Sequence, residues 1–154
     1  MESIIEHVEH PFARGSLTAD GVQFSDLLTT TTDDYEEVEK VKIDPPVRGA
    51  IQEFEFGLTC AIQSSSTLES VLFKWQARQT SSSTWVDLHT EITYAADASA
   101  LKEYTYSGRV EPQENLNAFP LEIRLMIKSG GAGGETAKGK TKNSSYVKVI
   151  YRGY

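Results

Sequence analysis

Apolar and polar side chains alternate without interruption between positions 121 and 128. The odd positions are all aliphatic and the even positions are mostly charged: Leu121, Ile123, Leu125 and Ile127 against Glu122, Arg124, Met126 and Lys128. Successive side chains of a β-strand point to opposite faces of the sheet. The segment is therefore predicted to be a strand with one buried side and one largely solvent-facing side.

The same two-residue period recurs in two earlier segments. Their apolar positions are Phe54, Phe56, Leu58, Cys60 and Ile62 in one, and Val71, Phe73, Trp75 and Ala77 in the other. Strands with a single apolar face are typical of antiparallel sheets that bury one side. The pattern predicts an all-β fold built as an antiparallel two-sheet sandwich. A jelly roll is preferred because the strands are long and the terminal strands pair easily, and an immunoglobulin-like sandwich is the alternative.

Turn-forming residues divide the chain into predicted strands, which we assign to a single domain. Residues 1–20 are predicted to be an N-terminal arm or edge strand, and residues 21–154 a single sandwich domain. The strands are expected at residues 35–43, 50–62, 68–79, 84–94, 102–110, 119–128 and 146–152. The imperfect phase of the first of these strands indicates a bulge or a sheet edge. Only residues 95–101 show some helical character, and residues 129–145 are predicted to be a Gly-rich loop.

Length and composition agree with one ordinary domain. The chain has 154 residues, of which 39% are hydrophobic, and Cys60 is its single cysteine. No disulfide within the chain is expected, and Cys60 is predicted to pack as a small hydrophobic side chain. No run of about 18 apolar residues predicts a membrane span. The acidic first residues lack the apolar segment of a secretory signal, so we expect none.

The formal charge of −7 argues against nucleic-acid binding through phosphate contacts. Residues 1–70 hold 14 acidic and 4 basic side chains, a net charge of −10, whereas residues 71–154 hold 8 and 11, a net charge of +3. One interpretation is that these charges are solvated on opposite faces. The other is that an acidic patch of one subunit meets a basic patch of the next.

A nucleotide-binding motif is matched between Gly134 and Thr141, which reads G-E-T-A-K-G-K-T. A phosphate loop needs a following helix whose first amides hold the phosphates. The residues after it read as a final strand, so we interpret the segment as a Gly/Lys hairpin loop. Its lysines are candidate assembly contacts, ordered against an acidic neighbour: Lys138, Lys140 and Lys142.

No other motif predicts a catalytic, cofactor or metal site. His7 and His10 are spaced for a helix face, but on a strand they point to opposite sides. The acidic run from Asp33 to Glu39 does not have the spacing of a calcium-binding loop and suits a solvated edge. No Gly-x-Ser-x-Gly nucleophile motif occurs. We therefore expect a protein that is not an enzyme.

Aromatic residues on the central strands are the remaining candidates for binding. Trp75 shares its phase with apolar neighbours and is expected in the core. Exposed rings are the usual platform for stacking sugars, and this gives the alternative function, a carbohydrate-binding module. Its candidate ligand or partner surface consists of Trp85, Tyr94 and Tyr104.

A predicted hairpin carries a resemblance to a known class of proteins. The sequence Phe73-Lys74-Trp75-Gln76-Ala77-Arg78, a polar turn and Thr84-Trp85-Val86-Asp87-Leu88 is similar to hairpins in jelly-roll or sandwich proteins that coat or decorate virus particles. The match covers about a tenth of the chain and has no diagnostic motif, so it bears on architecture.

The resemblance implies a structural protein of a virion or other extracellular assembly that associates as a trimer or larger ring. Its partners are then other copies of itself, and a major capsid protein or a glycan in addition. In this hypothesis the arm from Met1 to Leu17 lies on a neighbouring subunit and contributes the apolar contacts Ile4, Ile5 and Val8. Neither a membrane nor a nucleic acid is expected as a partner.

Overall fold

A computed structural model describes residues 4–11, 17–18, 21–22, 28–30, 35–44, 49–64, 70–95, 102–113, 116–129, 137–141 and 145–153. These residues contain thirteen strands: β1 (Ile4–Pro11), β2 (Leu17–Thr18), β3 (Gly21–Val22), β4 (Leu28–Thr30), β5 (Glu36–Ile43), β6 (Gly49–Ser64), β7 (Ser70–Arg78), β8 (Val86–Asp87), β9 (Ile92–Ala95), β10 (Lys102–Val110), β11 (Leu121–Ser129), β12 (Ala137–Thr141) and β13 (Tyr146–Gly153). In these ranges no helix is long and apolar enough to span a membrane.

Two antiparallel sheets contain nearly all of these strands. In the first sheet β6 pairs with β10 along one edge and with β12 and then β13 along the other; β1 pairs with β13, and β4 with β12. In the second sheet β7 pairs with β11 along one edge and with β8 and β9 along the other, and β5 pairs with β11. Strands β2 and β3 form a separate short pair.

The order of pairing identifies the sandwich as a jelly roll. Of the eight main strands, the first pairs with the last (β1 with β13), the second with the seventh (β5 with β11), the third with the sixth (β6 with β10) and the fourth with the fifth (β7 with β9). This nested pairing describes one antiparallel ribbon that is rolled up into two sheets. The preferred fold class is confirmed.

The core lies between the two sheets and follows the alternation of the sequence. The inward positions of β6, β7 and β11 are fully buried, including Phe56, Trp75 and Leu125. The Phe56 and Trp75 rings stack across the interface with their centroids 5.5 Å apart. Cys60 is buried among the same side chains. Burial of these large apolar groups provides the main force that holds the sheets together.

Two bulges explain why some buried positions depart from strict alternation. In β5 the register shifts by one residue at Val38, opposite Leu125 and Met126, so both Val38 and Ile43 are buried. This is the bulge that the imperfect phase of the segment predicted, on a strand that lies at the edge of its sheet. A similar shift opposite Ile150 and Tyr151 keeps both Ile51 and Phe54 of β6 inward.

The structure corrects two of the predicted elements. Residues 84–94 are not one strand, because β8 ends at Asp87 and β9 begins at Ile92. The predicted Gly-rich loop contains β12, which lies between β4 and β6 and is held by both. The next described strand after the nucleotide-binding motif is β13, so no helix is described at the place where a phosphate loop needs one. The predicted helical turn falls mainly on residues 96–101, outside the described residues.

A serine side chain closes the gap between β12 and β13 on the edge of β6. The hydroxyl of Ser145 accepts a hydrogen bond from the Thr59 N–H at 2.9 Å and donates one to the Thr59 carbonyl at 2.9 Å. Ser145 is fully buried. It replaces the backbone partner that β6 lacks where one neighbouring strand ends and the next begins, so neither group of Thr59 is buried unpaired.

A histidine side chain acts in the same way at the gap between β8 and β9. The Trp75 N–H donates to Nε2 of His89 at 3.3 Å, and the Leu88 N–H donates to the Trp75 carbonyl at 3.0 Å. Nδ1 of His89 donates to the Thr90 carbonyl at 2.6 Å, which fixes the neutral tautomer with Nε2 as acceptor. Burial lowers the pKa of His89 from its ordinary value of 6.5, and this outweighs the opposing effects of the Thr90 carbonyl and Asp87.

We expect Ser145→Ala to lower the free energy of unfolding by about 1–3 kcal/mol, because it leaves two buried backbone groups without a partner. Urea unfolding followed by tryptophan fluorescence measures the change. The matched control is Ser81→Ala, at an exposed position of the turn that follows β7. Equal stabilities of the two variants would contradict this role of Ser145.

We expect the free energy of unfolding to fall as the pH is lowered below 6.5, the ordinary pKa of the histidine side chain. In that range the unfolded chain takes up a proton at His89 while the folded chain resists it, because a protonated ring cannot accept the Trp75 N–H. Above pH 6.5 both states are neutral at His89 and its contribution is constant.

Urea unfolding at a series of pH values measures this slope, with His89→Gln as the control. Glutamine retains an acceptor without titrating, and His7 and His10 contribute equally to both proteins. The slope below pH 6.5 is therefore expected to be shallower in the variant. Parallel curves for the two proteins would contradict the assignment.

Candidate functional site

The outward side of the second sheet carries the most organised polar surface among the described residues. Even-numbered positions of β7 and β11 point away from the core, and their register sets the polar pairs. Gln76 lies opposite Arg124, and Arg78 lies opposite Glu122. The charged side chains on these two strands are only 15–22% exposed, so they lie against one another instead of extending into solvent. We call this surface the outer-face network; its residues are Tyr35, Glu37, Lys74, Gln76, Arg78, Trp85, Asp87, Glu91, Glu122, Arg124 and Lys128.

A chain of contacts crosses four strands at the centre of the outer-face network. On β8, Asp87 accepts a hydrogen bond from Gln76 at 2.7 Å and forms an ion pair with Lys74 at 3.2 Å. Gln76 in turn accepts a hydrogen bond from Nε of Arg124 at 2.8 Å. Arg124 lies 3.8 Å from Glu37 on β5. Side chains from β8, β7, β11 and β5 are thereby fixed in one arrangement.

Two aromatic rings cover the cations of the network. The guanidinium carbons of Arg78 and Arg124 both lie 4.1 Å from the ring centre of Trp85. The ammonium groups of Lys74 and Lys128 lie 4.2 and 4.7 Å from the ring centre of Tyr35. Such cation–π contacts attract the cation to the face of the ring and shield its aliphatic stem.

The network pairs each of its cations with a carboxylate. Arg78 binds Glu122 at 2.5 Å, and Lys128 lies 3.6 Å from Glu91, which also accepts the Tyr35 hydroxyl. Burial, and then the contact with Glu91, raises the pKa of Tyr35 above its ordinary range. Burial lowers the pKa of Arg124, against the effect of Glu37. These charged groups therefore pair with one another within one chain and are held in a fixed arrangement.

The structure separates the three aromatic residues that were predicted to form one ligand surface. Trp85 belongs to the outer-face network, whereas Tyr94 and Tyr104 stack on each other between the sheets, with centroids 4.3 Å apart and planes within 9°. The Tyr94 hydroxyl donates to the Thr105 carbonyl, and the Tyr104 hydroxyl donates to the Ala95 carbonyl. This tyrosine clasp, formed by Tyr94 and Tyr104, joins β9 to β10 where the two sheets meet. Burial raises the pKa of Tyr94 to about 12.

Five of the six predicted assembly contacts lie in two strands of the first sheet. Ile4, Ile5 and Val8 belong to β1, where they pair with Gly153, Arg152 and Val149. Lys138 and Lys140 belong to β12, opposite Gln63 and Ala61 of β6. The side chains of these five residues are not among those described, and Lys142 lies outside the described residues altogether.

Residues 4–11 form an edge strand of the first sheet, and the contact of the arm with a neighbouring subunit stays a prediction. This strand pairs with β13 of its own chain through eight consecutive residues. The physical reason is that β13 needs a partner on the edge that faces away from β6, and the first strand supplies it. His7 and His10 lie in this strand, and their side chains are also outside those described.

Opposite charges from the two halves of the sequence meet within one chain. On the outward side of the first sheet, Arg109 lies 3.3 Å from Glu53 and 3.4 Å from Glu55. Lys148 lies 3.4 Å from the same Glu55. The acidic first half and basic second half therefore neutralise each other in part on this sheet face.

Sequence reasoning missed most of the outer-face network. The charged even positions of β7 and β11 are visible in the alternation, but nothing in the sequence indicates that Tyr35, Asp87 and Glu91 reach the same surface. The sequence also gives no signal for the role of His89, since a lone histidine has no ligand spacing.

No family model matches this chain, and no curated protein matches it. Its fold is similar to that of several solved structures. A chain of T=1 particles derived from infectious bursal virus is 9% identical over 96% of this chain, with a TM-score of 0.50. Latent PorU from Porphyromonas gingivalis is 10% identical over 99% of this chain, with a TM-score of 0.51. Eiger TNF from S. frugiperda is 9% identical over 92% of this chain and 93% of its own length, with a TM-score of 0.44.

The chain spans 31% of the length of the viral chain and 13% of PorU. At such low identity the likeness is one of fold alone. The resemblance to viral jelly-roll coat proteins is thus confirmed at the level of architecture: this chain is an antiparallel two-sheet sandwich of that type.

Proposed function

We propose that this protein is a non-enzymatic structural protein that self-assembles, as a coat or decoration protein of a virus particle. The observation that carries the proposal is the nested strand order, which extends from β1 to β13 and includes eight of the thirteen described strands. A viral chain from T=1 particles with a similar fold supports it. The sites of action are then the virion and its assembly intermediates.

The outer-face network supports a role in contact over a role in catalysis. Its cations and carboxylates neutralise one another, and its long side chains are held by hydrogen bonds and aromatic rings. A surface fixed in this way loses little conformational entropy when a partner binds it. Tryptophan, tyrosine and arginine are also the residues that contribute most to binding at protein interfaces.

The carbohydrate-binding alternative has less support in the geometry. Tyr94 and Tyr104 use their ring faces and hydroxyl groups within the tyrosine clasp. Trp85 has two guanidinium groups 4.1 Å from its ring centre. A sugar that stacks on Trp85 has to displace at least one of these contacts or use the part of the ring that they leave open.

We expect the purified chain to form a discrete oligomer whose population rises with protein concentration. Sedimentation velocity measures this population over a concentration range of about a hundredfold, because self-association follows mass action. Negative-stain electron microscopy of the top concentration should then show closed rings or shells. A single monomeric species at every concentration would contradict the proposal.

Tryptophan fluorescence in the presence of a panel of oligosaccharides tests the carbohydrate-binding alternative on the same samples. A structural role predicts an unchanged spectrum, whereas a saturable shift that Trp85→Leu abolishes would favour the carbohydrate-binding module. Trp75 is fully buried, so it supplies a constant background signal in both proteins.

A further inference from the structure

Strand β10 has a long edge without a strand partner among the described residues. Its nine residues pair with β6 through the complete register from Lys102 opposite Ile62 to Val110 opposite Phe54, without a bulge. No described strand pairs with its opposite edge. A regular strand edge of this length presents backbone N–H and C=O groups that can pair with another chain.

The other described sheet edges carry features that oppose strand addition. Strand β5 contains a bulge, and charged residues occupy five of its eight positions. Strands β8, β9 and β4 have only two, four and three residues, and β1 ends in Pro11, which cannot donate a backbone hydrogen bond. By comparison β10 is continuous and contains no proline.

In one antiparallel register, β10 is complementary to β10 of a second copy of the chain. With Tyr106 opposite Tyr106 of a second copy, Glu103 lies opposite Arg109 and Thr105 lies opposite Ser107. All four of these residues are exposed and share the outward face of the sheet. Directly opposed side chains in an antiparallel pair have Cβ atoms about 4.5–5.5 Å apart, so the opposite charges are within reach of each other.

We propose that β10 is the interface through which two copies of this chain pair, antiparallel and about a two-fold axis at Tyr106. The contact joins the first sheets of both copies into one continuous sheet, with two Glu103–Arg109 ion pairs, one on each side of the axis. The proposal rests on self-assembly as the function and identifies the surface that starts it.

Contacts within one chain hold β10 ready for this pairing. The Arg109 side chain is 65% exposed, and Glu53 and Glu55 bind it from one side, which leaves further N–H donors for a second copy. The tyrosine clasp fixes the strand to β9, and the Thr105 carbonyl that accepts the Tyr94 hydroxyl retains a second lone pair. On the inward side the Tyr106 hydroxyl covers Gly108, so the contact is carried by the backbone edge and the outward residues.

A charge-exchange series tests the register. Glu103→Arg places two arginines opposite each other at each end of the interface and should weaken the dimer at least about tenfold. Arg109→Glu should weaken it similarly, and the double variant should restore the affinity, because the ion pair is rebuilt with its members exchanged. Lys40→Glu, an exposed charge reversal on β5, is the control and should leave the affinity unchanged.

A crosslinking experiment tests the same register without changing charge. Separate Thr105→Cys and Ser107→Cys proteins are mixed and oxidised, and the mixture should give a disulfide-linked dimer in much higher yield than either protein alone. Cys60 is buried and does not compete. This result does not depend on Arg109, whose substitution also removes contacts with Glu53 and Glu55.

The outcomes distinguish a failure of this interface from a failure of the proposed function. If the wild-type chain assembles but neither the charge series nor the mixed cysteines respond, β10 is not the interface and self-assembly stands. If the wild-type chain remains monomeric at every concentration, the proposed function fails and the interface fails with it. Restored affinity in the double variant together with the mixed crosslink supports the pairing at Tyr106.

Discussion

The architecture depends on satisfying the backbone hydrogen bonds of two central strands, β6 and β7. Each has one edge served by a single partner and one edge served by two successive strands. Where the successive strands leave a gap, Ser145 supplies a hydroxyl to Thr59 and His89 supplies a ring nitrogen to Trp75. An unpaired backbone group in this core costs at least as much free energy as a lost hydrogen bond. These two side chains therefore allow β6 and β7 to bridge the gaps without leaving those backbone groups unpaired.

The gap between β8 and β9 also determines which side chains meet on the outer face of the second sheet. Because β8 is short and pairs only with Gln76 and Ala77, Asp87 is placed beside Gln76 and Lys74. The chain then turns through Leu88 and His89, which brings Glu91 to Lys128. A β8 that continued straight along β7 would follow a different register and lose this arrangement, so the outer-face network is a consequence of the interrupted strand.

The sequence predicts the parts of this fold that repeat with period two, and it does not predict parts that other strands impose. The buried faces of β6, β7 and β11 and the irregularity of β5 follow from alternation alone. Strand β12 reads Ala-Lys-Gly-Lys-Thr, which has little strand propensity of its own, and its conformation comes from pairing with β4 on one side and β6 on the other. The structure places Trp85 on the outer face and Tyr94 and Tyr104 between the sheets. Trp85 and Tyr94 are an odd number of positions apart, so alternation itself puts them on opposite faces. The partners within the outer-face network depend on strand register, which one sequence does not reveal.

Internal neutralisation limits how copies of this chain can recognise one another. Acidic residues of the first half already bind basic residues of the second half on both sheets, at Glu55 with Arg109 and Lys148 and at Glu37 with Arg124. The charge that remains is −7, so two copies repel each other at long range. In the proposed assembly, attraction between copies therefore comes from short-range complementarity, in which a shared register sets the opposed groups. A strand edge provides such a register, because backbone pairing fixes the position of every side chain along it.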